Sequence, residues 1–176
     1  MIIHVFVKRG GMGKNTNTKF YVKHPRYGAN PKKSKYKFSK EEIEKAHWRY
    51  SSLKYFSETA IPANTARQQL STYQREIYVD IEEQCEVCKR PFLFFAQEQR
   101  HWFEVLGFFI DAHCTRCIEC RKEEHEVRRL HKSYQKLLEQ EKRTVQDTKK
   151  LKKIATELYN LGYIKDKNKV DKIGKS

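Results

Sequence analysis

Two pairs of cysteines with CxxC spacing constrain this chain more than any other feature. The first pair is Cys85 and Cys88, and the second is Cys117 and Cys120. Two intervening residues let both sulfurs of a pair turn toward one point about 2.3 Å away, which is the zinc–sulfur distance. Two pairs supply four thiolates, enough to close a tetrahedral site and leave no coordination position open for chemistry. The spacing therefore predicts one structural Zn²⁺ that stabilises a small fold.

A fifth cysteine leaves the second pair open to an alternative. Cys114 precedes Cys117 by the same spacing, so these two residues also form a CxxC pair. His113 is a weaker candidate ligand. We favour Cys117 with Cys120 because a helical pattern begins directly after Cys117, and a ligand pair at the start of a helix is a common arrangement. The remaining interpretation is that the thiols are merely buried or redox-active. The presence of two CxxC pairs favours a metal site over that interpretation.

The segment between the two pairs is too long for a plain zinc ribbon. It holds 28 residues, against about 15–20 in such a ribbon, so it has to contain folded structure of its own. "PFLFF" predicts a strand, "AQEQRHWFEVLG" a helix that ends at Gly107, and "FFID" a second strand. We expect the aromatic residues of "FLFF", "HWF" and "FF" to pack in the core around the metal.

The segment before the first pair predicts a helix followed by a strand. Ser39 and Glu42 form a capping box at the start of the helix. Its helical spacing continues through Leu53 to Phe56, and the segment that contains Pro62 breaks it. "EIYVDIE" then predicts a short strand that leads into the first cysteine pair.

Two helices are predicted after the second cysteine pair. Apolar residues at alternating spacings of three and four predict an amphipathic helix from Ile118 to about Gln140. "LKKIATELYNLG" predicts another helix, which stops at Gly162, and the tail "DKNKVDKIGKS" is expected to fray. The apolar stripe of the first helix consists of Val127, Leu130, Tyr134 and Leu137.

With the N-terminal segment included, the predicted helices and strands indicate an α+β fold class. "MIIHVFV" and "KFYVKH" predict a β-hairpin, and "HPRYGANPKKSKYKF" predicts an arm that is extended or becomes ordered on binding. The whole chain is then a small zinc-ribbon or treble-clef-like module with an N-terminal hairpin and several amphipathic helices. The predicted divisions are a basic hairpin and arm (1–38), a helix and linker strand (39–84), the zinc-ribbon module (85–122) and a C-terminal helical extension (123–176).

Positive charge is concentrated at the two ends of the chain. Residues 1–40 carry eleven Lys or Arg and no Asp or Glu, and the stretch from His131 carries thirteen basic and six acidic residues. Residues 81–130 hold eight basic and ten acidic residues, so the metal region is slightly acidic. The formal net charge of +15 therefore predicts that the metal fold is a scaffold and that the basic ends carry any affinity for polyanions.

The N-terminal arm interleaves aromatic rings with lysine and arginine. Aromatic faces stack on bases and cations contact phosphates, which is the usual combination for single-stranded nucleic acid or RNA. We therefore predict a non-catalytic zinc protein that binds nucleic acid, RNA favoured, although a solvated basic tail explains the same charges. The candidate contact residues are Lys19, Lys23, Arg26, Tyr27, Lys32, Lys33, Lys35, Tyr36 and Lys37.

The metal region resembles a bacterial family called probable zinc-ribbon domain proteins. The pattern is a CxxC, Phe-x-Phe, a Glu-Gln pair, aromatic residues, Gly-Phe and finally Arg-Cys-x-x-Cys-Arg, and it covers about residues 85–122. The resemblance implies a structural zinc site and carries no defined activity with it. The matching residues are Cys85, Cys88, Phe92, Phe94, Glu98, Gln99, Phe103, Gly107, Phe108, Arg116, Cys117, Cys120 and Arg121.

Two enzyme classes and one binding class compete with this prediction. The glycine loop before Lys14 resembles a ParA-like P-loop, but Asn15 stands where a hydroxyl would hold Mg²⁺, so no nucleotide is expected. A zinc-stapled nuclease is the better enzyme alternative, with Asp111 and His113 as its candidates, but no second His or Asn is suitably spaced. The main competitor is a protein-interaction adaptor that docks a partner through helix 118–140.

Length and composition limit the class of protein further. The chain has 176 residues, with 38% hydrophobic and 34% charged residues, which allows a modest core but not a large enzyme body. No apolar run approaches the ~20 residues of a membrane span, and the N-terminus lacks the order of a signal peptide. Cysteines spaced for a metal then predict a reducing cytosol.

Overall fold

The computed structural model describes residues 20–69 and 73–174. The described residues fall into two compact units, one ending at Arg121 and the other beginning at Lys122. The first unit holds the small sheet and the cysteines, and the second consists of helices. The predicted strand "MIIHVFV", together with Lys14, Asn15 and Lys19, lies outside the described residues.

The first unit is built on a three-stranded antiparallel sheet. Its strands are β1 (Tyr55–Pro62), β2 (Ile77–Gln84) and β3 (Pro91–Phe94), in the order β1-β2-β3. Ile81 of β2 is the register partner of both Tyr55 and Phe94. Strands β2 and β3 match the segments predicted from "EIYVDIE" and "PFLFF". The turn between them carries the first cysteine pair, so the hairpin fixes where those two sulfurs lie.

Strand β1 replaces the second half of a predicted helix. Helix α1 (Lys40–Ala46) has the predicted capping box of Ser39 and Glu42, but it ends where His47 takes an extended backbone with φ −161° and ψ 131°. A short 3₁₀ turn follows, and the predicted helix over Leu53 and Phe56 is wrong. Long-range pairing with β2 is the reason, since the β-branched and aromatic residues of this segment gain a ladder there.

The basic arm is attached to the sheet by its backbone. The Val22 N–H donates to the Pro91 carbonyl at 2.9 Å, the Lys32 N–H to Asp80 Oδ2 at 2.9 Å, and the Ser34 N–H to the Glu58 carbonyl at 2.9 Å. Residues 20–23, the described part of the predicted strand "KFYVKH", form no strand. The arm instead contacts both edge strands, β3 through Val22 and β1 through Ser34, which leaves fewer unpaired backbone groups on the edges of the sheet.

The segment between the cysteine pairs contains the predicted helix but not the second predicted strand. Helix α2 (Ala96–Arg100) continues as a π-helical turn to Val105, and Gly107 ends it with φ +64°. The segment "FFID" makes only an isolated bridge, between Phe109 and Gln69. Phe109 instead begins a turn, because its carbonyl accepts the Ala112 N–H at 2.8 Å.

The core of the first unit lies on both faces of the sheet. One cluster surrounds the cysteines and contains Tyr78, Phe92, Phe94, Phe103 and Ile110. A second cluster packs α1 and the following 3₁₀ turn against β1 and β2. The expectation that every aromatic of this region is buried is wrong for Phe108 and Phe109, which are 44% and 50% exposed. They lie in the turn after Gly107, beyond the reach of the sheet.

The second unit consists of helices that share one apolar cluster. They are α3 (Ile118–Leu138), whose first four residues belong to the first unit, α4 (Val145–Asn160) and α5 (Lys167–Asp171). Thr144 and Asp147 form a capping box before α4, six residues earlier than the predicted start. Three of the four residues of the predicted stripe of α3 pack with α4, and Val127 is not among them; the cluster contains Leu130, Tyr134, Leu137, Leu151, Ile154 and Leu158.

The described part of the C-terminal tail, residues 166–174, is folded where fraying was expected. Asp166 caps α5 by accepting the Asn168 N–H at 2.9 Å, Val170 is buried and Ile173 packs on the apolar cluster of α3 and α4. Tertiary contacts of these two apolar residues outweigh the weak helical pattern of the segment. In the part of the chain that is described, we find no helix with the length and apolar character of a membrane span.

Candidate metal centre

The four cysteines of the two CxxC pairs meet at one point. The sulfurs of Cys85, Cys88, Cys117 and Cys120 all lie within 4.8 Å of one another. Cys88 Sγ and Cys117 Sγ are 3.7 Å apart. Zinc–sulfur bonds of about 2.3 Å in a tetrahedron place two sulfurs about 3.8 Å apart. The sulfur positions therefore fit a tetrahedral metal ion bound by four thiolates.

The first pair lies in a tight turn between β2 and β3. The Cys85 N–H donates to the Arg90 carbonyl at 3.0 Å, and the Lys89 N–H donates to the Cys85 carbonyl at 2.9 Å. Lys89 has φ +61°, the left-handed conformation, which the turn needs to bring the chain back to β3. This closed turn holds both sulfurs on the same side of the hairpin.

Backbone N–H groups point at the first sulfur. Burial raises the pKa of the Cys85 thiol, but hydrogen bonds from the N–H groups of Cys88, Cys117 and Val87 outweigh it and lower the pKa to about 6. A cysteine with such a pKa is largely thiolate at neutral pH, which is the form that binds a metal. The turn thus prepares one ligand before any metal arrives.

The second pair sits at the start of α3. The Arg121 N–H donates to the Cys117 carbonyl at 3.0 Å, so the helical bonds begin at Cys117 and place Cys120 in the first turn. Burial raises the pKa of both thiols. The positive end of the helix dipole favours thiolates at this position, and a bound dication lowers the pKa of a coordinating thiol further.

Cys114 lies outside the group of four. It is 1% exposed, its Sγ contacts the Arg116 carbonyl at 3.4 Å, and burial raises its pKa to about 12. His113, the weaker candidate ligand, has Nε2 3.4 Å from Glu83 Oε1. The structure therefore brings Cys120, and neither Cys114 nor His113, to the other three sulfurs.

Arg90 and Arg121 form side-chain contacts next to the cysteine group. No role was assigned to either residue from the sequence. Arg90 Nε donates to Cys88 Sγ at 3.4 Å and its Nη2 donates to Glu119 Oε2 at 2.6 Å. Arg121 Nη2 donates to Glu98 Oε1 at 2.6 Å. Such outer contacts orient the ligands and offset the negative charge of four thiolates. The sequence feature that could have identified these arginines is their position, because each lies within two residues of a ligand cysteine.

The candidate nucleic-acid contact residues differ in how exposed their side chains are. Tyr27 is half-buried, stacked on His24 with ring centroids 4.6 Å apart and 5.4 Å from Phe95. Tyr36 is 41% exposed, with Lys35 Nζ 5.3 Å from its ring. Six cations of the arm are exposed and form no ion pair with a carboxylate of the described chain: Lys23, Arg26, Lys32, Lys33, Lys35 and Lys37.

The candidate nuclease residues lie in separate contacts. Asp111 Oδ1 is 3.6 Å from His47 Nε2, whereas His113 faces Glu83. Within residues 20–69 and 73–174, the cysteines are the only group of three or more metal-ligating side chains that come together. Asp111 and His113 therefore do not share a ligand set there.

A buried arginine, Arg75, connects α2 to two distant segments of the chain, and no sequence pattern predicted it. Arg75 is 3% exposed and donates to Gln99 Oε1 at 3.1 Å and to the Ile110 carbonyl at 3.2 Å. Its Nη2 is 3.2 Å from His47 Nε2. Burial, followed by the Arg75 charge, lowers the pKa of His47 to about 4, so this imidazole is neutral at physiological pH.

Comparison with known proteins agrees with the geometry of the centre. Residues 79–129 match a family model described as "Probable treble clef domain". The match runs from β2 to the middle of α3 and includes all four clustered cysteines. Searches of curated proteins and of solved structures gave no match. The resemblance to a zinc-ribbon-like family and the α+β class of the zinc-binding module are thereby confirmed.

Proposed function

We propose that this chain is a non-catalytic, zinc-dependent nucleic-acid-binding protein of the cytosol, with RNA as the favoured partner. The metal centre acts as scaffold, and the basic arm over residues 20–38 provides the binding surface. Five free cysteines support a reducing compartment.

Zinc is the metal that the donor set favours. Four thiolates in a tetrahedral arrangement are typical of structural zinc, and iron is the main competitor for such a site. All four positions are taken by protein sulfur, so a bound Zn²⁺ has no open position for water or substrate. This arrangement supports a structural role for the metal rather than a catalytic one.

The observation that carries the proposal is the set of unpaired cations on an anchored backbone. Hydrogen bonds at Val22, Lys32 and Ser34 attach the arm to the sheet, while its lysine side chains remain exposed. An arm that is already ordered loses less conformational entropy when it binds. Cations without carboxylate partners remain available to phosphates, whose counterions they displace.

Exposed aromatic rings support single-stranded RNA over duplex. Tyr36 is 41% and Phe20 is 79% exposed, so either ring can stack on an unpaired base. Tyr27 instead packs on His24 and Phe95, and we assign it to the support of the arm. The adaptor alternative is less favoured because three of the four residues of the apolar stripe of α3 already pack with α4.

The test is a binding titration with a short single-stranded RNA over a series of salt concentrations. Replacing Lys32, Lys33, Lys35 and Lys37 by Ala should lower the slope of log affinity against log salt by about 3, since each phosphate contact contributes about 0.7. The matched control replaces Lys165, Lys167, Lys169 and Lys172, which are also exposed. Unchanged RNA binding by the arm variant would make the basic run a solubility feature and favour the adaptor.

A further inference from the structure

The outward face of α4 carries more positive than negative charge. Leu151, Ile154, Ala155 and Leu158 are its buried residues. On the other side, exposed polar residues repeat at spacings of three, four and seven, which keeps them on one face of a helix. This face, called the α4 lysine face below, carries three positive charges and one negative charge, and consists of Lys149, Lys152, Lys153, Thr156, Glu157 and Asn160.

The charges of the α4 lysine face are not neutralised by the described part of the protein. None of its three lysines forms an ion pair with a described carboxylate, not even Lys153 with Glu157 four residues later. Helix α3 differs, because Arg128 pairs with Glu124 at 2.6 Å and Arg129 with Glu126 at 2.8 Å. Like charges three or four residues apart destabilise a helix. The lysines of α4 repel one another in this way, whereas in α3 ion pairs with glutamates offset the repulsion between arginines.

Helix α4 presents these lysines on a rigid support. The capping box of Thr144 and Asp147 satisfies N–H groups at its start, and Gly162 with φ +80° follows its end. Its apolar side packs in one cluster with residues of α3, and α4 also contacts α5. The lysines therefore project from a helix whose position is fixed before any partner binds.

We propose that the α4 lysine face binds the phosphate backbone of nucleic acid, as a second contact surface besides the arm. The inference rests on the proposed function for its class of partner but on different residues in a different compact unit. Lysines bind phosphates as point charges, and the Asn160 side-chain amide adds a donor of the kind that contacts phosphate oxygens, whereas the Thr156 hydroxyl donates to the Lys152 carbonyl at 2.9 Å. The contacts carry no base specificity, so they add affinity and not sequence recognition.

Nucleic acid fits this face better than an anionic membrane surface does. Helices that lie in a membrane interface insert an exposed apolar side among the lipid chains. The apolar side of α4 is buried within the protein, which leaves only charge attraction to a lipid surface. We therefore favour nucleic acid as the partner, because α4 has no exposed apolar side that could insert into a membrane.

The experiment compares three variants of the full-length zinc-loaded protein. The first replaces the lysines of the α4 lysine face (Lys149→Gln, Lys152→Gln, Lys153→Gln). The matched control removes three exposed lysines from the tail (Lys165→Gln, Lys167→Gln, Lys172→Gln), and the third is the four-lysine arm variant described above. Each is titrated with single-stranded RNA and with duplex over a salt series, and its zinc content and circular dichroism are measured.

Loss of three phosphate contacts should lower the salt slope by about 2–3 and weaken binding on the order of 100-fold near 0.1 M salt. The tail control should bind like the unaltered protein. An α4 variant that binds as tightly as that control would overturn the inference while leaving the arm proposal standing. An arm variant with normal affinity beside a weakened α4 variant would support the inference and reject the arm.

Two further outcomes also decide the question. If the unaltered protein binds neither nucleic acid at low salt, both proposals are wrong. If it binds phosphatidylserine vesicles through these lysines and does not bind nucleic acid, the surface is a lipid contact and the inference is wrong.

Discussion

Arg121 and Glu98 form a partly buried ion pair between the first turn of α3 and helix α2. Arg121 Nη2 donates to Glu98 Oε1 at 2.6 Å, and the two side chains are 19% and 7% exposed. The guanidinium also lies 5.1 Å from the ring centre of Trp102. Because Arg121 directly follows Cys120, this contact holds the helix that carries half of the metal ligands.

Removal of the Glu98 charge should therefore weaken both the fold and the metal centre. Glu98→Gln leaves a partly buried guanidinium without its carboxylate, and we expect the free energy of unfolding to fall by about 3 kcal/mol. Metal affinity should fall about 10- to 100-fold, as for other contacts that orient ligands. Urea unfolding and competition with a chelator measure the two effects.

The control for this prediction is Glu126→Gln, which breaks an exposed pair with Arg129. An exposed pair contributes less than about 1 kcal/mol. Equal losses in the two variants would show that the Glu98–Arg121 contact has no special role at the centre.

Cysteine substitutions should separate the ligands from the fifth thiol. Cys120→Ser should abolish stoichiometric zinc and unfold the first unit, because the free energy of zinc binding is free energy of folding. Cys114→Ala should keep one zinc per chain and lose only the packing of one buried sulfur. Elemental analysis of the purified variants decides the matter, and zinc loss in Cys114→Ala with retention in Cys120→Ser would reverse the assignment.

The stability of the protein should depend on the protonation of His47 under mildly acidic conditions. The pKa of His47 is lowered from 6.5 to about 4 by burial and by Arg75, so the folded state binds fewer protons than the unfolded state. The stabilisation is present above pH 6.5 and is lost as the pH falls toward 4. Between about pH 7 and about pH 5 the loss should be about 2 kcal/mol.

Asp80 acts in the opposite direction and has to be separated from His47. Burial raises its pKa to about 6, against the hydrogen bonds from the N–H groups of Ala96 and Lys32, so its protonation favours the folded state as the pH falls. The measurement is therefore the difference in unfolding free energy between the unaltered protein and His47→Asn at both pH values. Asp80 contributes equally to both proteins, and a difference that does not change with pH would reject the prediction.

The two tyrosines of the arm should behave differently. Tyr36→Ala removes an exposed ring and should weaken single-stranded RNA binding by about 1–3 kcal/mol, with little effect on melting temperature. Tyr27→Ala removes a ring stacked on His24 and should lower the melting temperature of the first unit. Calorimetry and RNA titration of both variants test this, and the reverse pattern would place Tyr27 in the binding surface.

Sequence analysis succeeded where the determinant is local. The CxxC spacing places two sulfurs together through a single turn, and the capping box at Ser39 needs only residues three apart. Strand β1 was missed because its conformation depends on β2, whose paired residues lie 15 to 26 positions away along the chain. Arg75 was missed for the same reason, since its partners His47, Gln99 and Ile110 come from distant segments.

The metal of the centre joins positions far apart in the chain. Cys88 and Cys117 are separated by 29 positions, so a shared ion crosslinks a loop of that size. A covalent link across such a loop lowers the entropy of the unfolded chain by an amount worth about 3–4 kcal/mol. Unlike a disulfide, a metal crosslink exchanges with free ions. The fraction of molecules in which α3 stays tied to the hairpin is therefore set by the metal supply around the protein, and a chelator opens the loop without breaking a covalent bond.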